Sequence, residues 1–404
     1  MTLDETKQLY DAHIMRTYGR AEVAFVRGRG CILEDTEGNE WLDCLAGIAV
    51  CGLGHAHPAI ASAIAEQAGK LIHTSNLYYI PNQAAAAAEL TSVCDLDKVF
   101  FGNSGAEAIE ASIKLARKWG KQHRGGAYKV ITALGSFHGR TLCALTATGQ
   151  AKYQEPFTPL VPGFNYVPYG DIAALEEAVD EETVAILVEP IQGESGVRIP
   201  PAGYLRAIRD LCDQRGLVMI LDEVQTGLGR TGKWFAHQHE GVVPDVMAVS
   251  KSLGAGFPVG ACVARGEFGD VLVPGDHAST FGGGPLAAAA VTAFLRTMKS
   301  EGVVENAAAM GDYAAEALTR LAGSQPGAIK EVRNRGLMIA VELCDPIARG
   351  VLTALYERRV LSNAIGDTIL RVVPPLVIGR EEIDRFVSAL GEALIEVRGT
   401  PGAS

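Results

Sequence analysis

Five short apolar runs, at residues 99–101, 130–133, 184–188, 218–221 and 246–249, punctuate the middle of the sequence, each closed by polar residues or glycine. A run with no polar face has nothing to turn toward water, so it suits a strand covered on both sides, as in a parallel sheet. Stretches with helical spacing lie between the runs, at 107–119, 172–179 and 204–214. Strand, helix and strand in alternation make the βαβ unit, and its repetition predicts an α/β sheet with helices on both faces. Such sheets bind ligands beyond the carboxyl ends of their strands, so the residues just after each run are where chemistry is sought first.

The two ends of the chain read differently. Residues 24–45 alternate apolar and polar around a Glu37-Gly38-Asn39 turn, which predicts a small antiparallel element. From about Asn306 the tail mixes long helical stretches with strand-like runs at 337–343 and 369–373 and reads as a second, α+β domain. Alanine runs at 84–88 and 287–290 suit closely packed helices. A formal charge of -11 offers no attraction to nucleic acid or to an anionic membrane, which leaves small molecules as the expected partners. Residues 1–20 carry charges throughout with no apolar h-region, and the apolar stretch 286–295 is too short to cross a bilayer, so a cytoplasmic location is expected. The eight cysteines form no C-x-x-C pair and read as reduced and mostly buried; no metal is expected, and His237 and His239 read as loop residues.

Chemistry concentrates after the runs. Gly102-Asn103-Ser104-Gly105-Ala106-Glu107 opens a helix, whose free backbone N–H groups and positive dipole end suit a phosphate. Ser104 and Glu107 also have capping-box spacing, which stabilises such a helix with no ligand. The run 218–221 ends in Asp222, and a buried carboxylate needs a positive partner: a protonated pyridine nitrogen is one, an arginine another. Gly227-Leu-Gly229-Arg-Thr-Gly232 matches G-x-G-x-x-G in letters, but Lys233-Trp234-Phe235 follows where a dinucleotide fold needs an amphipathic helix. Lys251 ends the last run, with Gly254, Gly256 and Gly260 behind it. A lysine carried inside loses solvation, which favours the neutral nucleophilic amine; the plain alternative is a surface lysine whose stem snorkels from a strand end. Phe137-His138-Gly139-Arg140-Thr141 adds a ring that can stack on a flat ligand and an arginine suited to a carboxylate, although a core ring and a surface ion-pair partner are the default readings of either alone. In this order, the helix start, aromatic ring, strand-end aspartate and strand-end lysine are the parts of a pyridoxal-phosphate site.

These residues, together with Arg16-Thr-Tyr-Gly19, Leu45-Ala-Gly-Ile-Ala-Val50, Gly54-His-Ala-His-Pro58, Glu189-Pro-Ile-Gln-Gly-Glu194, Leu221-Asp-Glu-Val-Gln-Thr-Gly227, Ser279-Thr-Phe-Gly-Gly283 and Arg371-Val-Val-Pro-Pro375, resemble the class III pyridoxal-phosphate-dependent aminotransferases, most closely their acetylornithine branch, over nearly the whole chain. The resemblance implies an α/β, fold-type I transferase: a large domain (56–305) with a mainly parallel, seven-stranded type of sheet, a smaller α+β domain (306–404), and an N-terminal segment (1–55) joining the latter. It implies that Gly105 and Ala106 bind the phosphate through their N–H groups, that Phe137 stacks on the ring with His138 beside it, and that Asp222 pairs with the pyridine nitrogen. Gln225 would lie near the ring hydroxyl, and Lys251 would be the Schiff-base lysine and acid/base catalyst. Thr280 from a second subunit would reach the phosphate and Ser279 the substrate, which implies a homodimer. Tyr18, Arg140, Glu194 and Arg371 fall at substrate positions, the two arginines on carboxylates and Glu194 paired with Arg371.

The implied reaction moves the δ-amino group of N2-acetylornithine to 2-oxoglutarate, as in arginine biosynthesis. Ornithine, succinylornithine, 4-aminobutyrate, diaminobutyrate or a lysine-pathway amine is the alternative donor, and a semialdehyde aminomutase is a more distant alternative in the same fold. Cys51-Gly52, Ile109 and Gly284 stand where the branch usually has Asn-Ala, Asn and Asn, and these departures bear on the choice of amine.

Overall fold

A computed structural model describes residues 1–399 of the chain; residues 400–404, the end of the span expected as the C-terminal domain, lie outside it. Among the described residues the strands, in chain order, are β1 (Phe25–Arg29), β2 (Ile32–Asp35), β3 (Glu40–Asp43), β4 (Lys98–Gly102), β5 (Lys129–Ala133), β6 (Phe164–Val167), β7 (Thr183–Val188), β8 (Val218–Asp222), β9 (Val246–Val249), β10 (Gly260–Ala264), β11 (Ile329–Arg335), β12 (Met338–Leu343), β13 (Val360–Leu361), β14 (Asn363–Ile365) and β15 (Ile369–Val372).

Seven of them form one sheet in the order β4-β10-β9-β8-β7-β5-β6. The five from β9 to β6 are parallel, while β10 runs antiparallel to both β9 and β4. β4 therefore points the same way as the parallel five, and their carboxyl ends share one edge of the sheet.

Both faces are covered. The helix Gly105–His123 presses Ile109, Ile113 and Leu115 against Val246, Ala248 and Cys262 on one side. Helices Ile172–Ala178 and Tyr204–Arg215 press Leu175, Ile208 and Leu211 against Ile131, Ile186 and Val188 on the other. Every residue of β7 and β8 is buried, which is why their sequences carry no alternation. Each Val, Leu or Ile taken out of water there contributes roughly 1.5–3 kcal/mol. The alanine runs lie on helices Pro81–Thr91 and Pro285–Ser300, which pack on one another through small side chains.

The outer parts form two further sheets. β11, β12, β15 and β14 are antiparallel neighbours, and β15 carries Arg371. β1, β2 and β3 form an antiparallel meander whose last turn is held by Asp35, the Oδ1 of which accepts the N–H groups of Glu37 and Asn39 at 2.9 Å each. β13, more than 300 residues later, adds to β3 in parallel. The glycine-rich segment 227–232 turns through Gly229 (φ 91°) and Gly232 (φ 83°) into a short 3-10 turn at Ala236–His239, so the helix of a dinucleotide site does not follow it.

Asp245, at the amino end of β9, is fully buried and fastens this sheet. It accepts the Met219 N–H (2.7 Å), Arg209 Nη1 (2.9 Å), and both Nε and Nη2 of Arg265 (3.0 and 2.7 Å). Breaking a buried pair leaves its cations uncompensated, at a cost of about 3–5 kcal/mol. Asp245→Ala is expected to lose that much in denaturant or thermal unfolding; a loss below about 1 kcal/mol would show that solvent already satisfies the two arginines.

Candidate active site

The edge where the strands end gathers polar groups from five of them. Asp222 closes β8, Lys251 lies two residues past β9, Ser104 and Gly105 follow β4, Phe137–Arg140 follow β5, and Glu189 follows β7. Close packing draws these ends together. A methyl group at Gly105 would stand 2.9 Å from Val224, and one at Gly260 would stand 2.1 Å from the Ser104 carbonyl oxygen. Only glycine lets the start of helix Gly105–His123 settle between the ends of β8 and β9. Ser104 caps this helix by accepting the Glu107 N–H at 3.2 Å. The other half of the expected capping box is displaced: the Glu107 carboxylate takes the N–H of Asn103 instead of that of Ser104. The amides of Gly105 and Ala106, in the first turn, have no acceptor within the helix.

Asp222 is buried and oriented from both sides. Its Oδ1 accepts the Val224 N–H at 3.0 Å, and its Oδ2 lies 2.7 Å from Nδ1 of His138. The other ring nitrogen of His138 meets Thr132 Oγ1 at 3.2 Å, and that hydroxyl donates to the Ala147 carbonyl at 2.9 Å. His138 thus stands between β5 and β8 as a polar strut.

Lys251 has φ 46°, a left-handed backbone that costs a non-glycine residue on the order of 1–2 kcal/mol. Burial pushes its amine below the ordinary lysine value; Glu194, Asp222 and Glu189 pull upward, Arg371 reinforces the lowering, and burial prevails. Glu189 is displaced the opposite way, raised by burial and by Asp222 although its carboxylate accepts the Phe137 N–H at 3.0 Å. Glu194 resists burial because Arg371, and then Lys251, hold it below the usual carboxylate value. Arg371, 1% exposed, donates from Nη1 to Glu194 Oε1 at 2.5 Å and from Nε to Asn363 Oδ1 at 2.9 Å. Gln225 joins this group through Nε2 to Glu194 Oε1 at 3.4 Å, and its own Oε1 is buried without a partner.

Other residues singled out from sequence lie apart within the single chain. Tyr18 is 74% exposed and touches Arg20, and Thr280 faces solvent. Ser279 accepts from Asn103 Nδ2 at 3.2 Å, at the β4 side of the sheet. Arg140 is exposed, its guanidinium over the Tyr153 ring. Ile109, read above as a departure bearing on the amine, is fully buried against the sheet, so its place is in the core. Gly284 precedes helix Pro285–Ser300 as its N-cap, and Cys51 is half-buried.

The stretches 45–50 and 54–58, singled out above as part of the resemblance and given no role there, form a strained turn and its support. Ala46, Gly47, Ile48 and Ala49 all have positive φ, between 51° and 67°. Buried Asp43 holds this turn: its Oδ1 accepts the N–H groups of Leu45 and Ala46 at 2.8 Å each, and its Oδ2 lies 2.7 Å from His55 Nε2. Ser252, beside Lys251, donates to the Ala49 carbonyl at 3.1 Å. The strained turn is thereby tied to the lysine's own segment. In the sequence these stretches stand out only as motifs, and nothing local in them marks the left-handed turn or the Asp43–His55 pair.

The family described as Aminotransferase class-III matches residues 14–394. The chain belongs to that family, and its seven-stranded, mainly parallel sheet with a smaller α+β part is the fold-type I arrangement expected from the sequence. It is 49% identical over 393 residues to the acetylornithine aminotransferase of Methanopyrus kandleri, covering 96% of this chain and 99% of that one. The ornithine aminotransferase of Toxoplasma gondii, crystallised in the presence of oxidised glutathione and with partial occupancy of PLP at its active site, matches with a TM-score of 0.93 at 35% identity, over 98% of this chain and 95% of that one. The acetylornithine aminotransferase of Elizabethkingia anophelis matches with a TM-score of 0.88 at 35% identity, over 98% of this chain and 100% of that one. The protein is a transaminase.

The Asp43–His55 pair carries a pH signature. Hydrogen bonds to Asp43 first, then to Cys51, raise His55 from 6.5 to about 9 against its burial. A raised folded-state value means that the pair's stabilisation is complete below pH 6.5 and is lost as pH rises through about 9. The thermal midpoint is expected to fall across that window in the native chain, and the part of the slope due to this pair is expected to vanish in His55→Ala. An unchanged slope in the variant would remove His55 as its source.

Proposed function

We propose that the protein transfers the δ-amino group of N2-acetylornithine to 2-oxoglutarate, giving N-acetylglutamate 5-semialdehyde and glutamate, with pyridoxal phosphate attached at Lys251. The observation that carries this reading is the convergence at the carboxyl ends of the strands of Lys251, the His138-held Asp222, Glu189 and the Glu194–Arg371 pair, with burial lowering the lysine amine. The names of the relatives support the substrate, and the PLP of the Toxoplasma protein supports the cofactor.

The residues present fit that cofactor. The buried, unpartnered Oε1 of Gln225 suits a ring hydroxyl donor. The helix start at Gly105 and Ala106 suits a phosphate, Phe137 a ring face, and Asp222, oriented by His138, a protonated pyridine nitrogen. When bound, pyridoxal phosphate supplies a reactive carbonyl carbon and a ring that accepts electrons from the substrate.

The chain's own residues do the rest. Lys251, with a lowered proton affinity, would hold the cofactor through Nζ and, once the substrate's amine has taken that place, would accept and return a proton at the freed Nζ. Asp222 keeps its carboxylate beside the ring nitrogen. Arg140 takes the carboxylate of the amine donor. Arg371 takes a carboxylate of glutamate, and while the donor is bound Glu194 masks it through the 2.5 Å contact, so one pocket serves substrates with different numbers of carboxylates.

A homodimer completes the site in this reading, with Thr280 and Ser279 supplied from the second subunit and Tyr18 on the substrate side. An exposed apolar group supports it: Leu77, Tyr78 and Tyr79 lie on the 71–83 segment, which Asn76 and Gln83 bind to the 279–283 turn bearing exposed Phe281. The division into 1–55, 56–305 and 306–404 and the place in arginine biosynthesis belong to the same proposal.

Two measurements test it. The purified protein is expected to show a visible absorbance band that is lost in Lys251→Ala and is bleached by acetylornithine faster than by ornithine or 4-aminobutyrate; a colourless native protein, or a preference for either competitor, overturns the cofactor or the donor respectively. Glu194→Gln is expected to shift discrimination between glutamate and the ω-amine donor by roughly ten-fold or more, because it removes one charged partner of Arg371. Equal effects on both half-reactions would exclude the masking role.

A further inference from the structure

Arg140 differs from Arg371 in how its donors are used. Arg371 spends them on Glu194, Asn363 and Gly193, whereas Arg140 forms no ion pair among the described residues, although acidic residues outnumber basic ones by 47 to 36. What Arg140 does have is a ring: its Cζ stands 3.9 Å from the centroid of Tyr153 and 5.5 Å from that of Phe137. A guanidinium resting flat on a ring keeps its N–H edge free for a carboxylate, since the contact uses the face and none of the donors.

Tyr153 is itself firmly placed. It lies on the short helix Ala151–Gln154. On one flank Gln150 Nε2 donates to the Ser136 carbonyl at 3.0 Å, and on the other Gln154 Nε2 donates to the Thr148 carbonyl at 2.7 Å. Both anchors lie on the segment that carries Phe137 and Arg140. The Tyr153 ring also meets Phe137 edge-on, at 6.1 Å and 84°. Lys152 Nζ lies 4.7 Å from the centroid of the same ring, a second positive charge beside Tyr153.

We infer that Tyr153 is a positioning residue that sets the distance between the reacting centre at Lys251 and Phe137 and the carboxylate anchor at Arg140, and so selects donors by the span between amine and carboxylate. The inference rests on the reading of Arg140 as the donor-carboxylate site. An arginine free on its flexible stem samples many positions; one held on a fixed ring reads one length.

The test uses the holoenzyme and two donors: N2-acetylornithine, and N-acetyl-1,4-diaminobutane, which is the same chain without the carboxylate. Tyr153→Leu, which keeps apolar volume without a ring, is expected to raise KM for acetylornithine roughly three- to ten-fold with little change in kcat, and Tyr153→Phe to restore it. The reaction of the carboxylate-free amine is expected to change less than about two-fold in either variant. Arg140→Ala separates the two readings. If it affects both donors equally, Arg140 is not the carboxylate site and the reading beneath this inference fails. If it discriminates between the donors while Tyr153→Leu affects both equally or neither, Tyr153 is only packing and the inference fails by itself.

Discussion

The lowered proton affinity of Lys251 depends on its partial burial beside charges that do not fully compensate it. Three carboxylates and one arginine act on the amine, and burial still outweighs them. That balance requires groups from several elements to converge: Asp222 from β8, Glu189 from the end of β7, Glu194 from the segment beyond, and Arg371 from β15 of a different sheet. A small rearrangement of any of these would change the charge the lysine feels, because electrostatic interactions strengthen steeply once water is excluded.

Rigidity at this edge comes from two sources. Glycines 105 and 260 let backbone approach backbone where any side chain would collide. Buried polar groups do the remainder, with Asp43 holding the left-handed turn at 46–49 and His138 holding Asp222. The strain in that turn and at Lys251 is maintained by the surrounding contacts, as expected where a backbone is held for a purpose other than its own stability. The contrast between the two arginines extends the same logic to the pocket: one is paired with a carboxylate, and the other stands over a ring with no ion pair among the described residues.

Much of the large sheet was legible because burial on both faces leaves a strong mark. β4, β7, β8 and β9 stand out as apolar runs, as does β5 despite Thr132 within it, and their ends locate Asp222 and Lys251 at strand termini. β6 (Phe-Asn-Tyr-Val) is an edge strand with a polar residue inside it, and β10 (Gly-Ala-Cys-Val-Ala) is built of small residues, so neither has a distinctive signature. Ile109 illustrates a different limit. Read by its neighbours in the chain it belongs with the phosphate-type helix start, yet a helix turns 100° per residue, and position 109 faces the core.

The sequence by itself determined the α/β class, the identity of the strand-end groups and the family, since periodicity and contiguous motifs are local properties of the chain. Tertiary structure alone decided which groups act on Lys251, that Asp43 and His55 stand behind a left-handed turn, and that Tyr153 lies under Arg140, while to the Glu194–Arg371 pair implied by the resemblance it added a distance. These are distances between residues that are not neighbours in the chain. Hydrogen bonds, ion pairs and desolvation depend on such distances and on what excludes water around them, and neither is written in the order of residues.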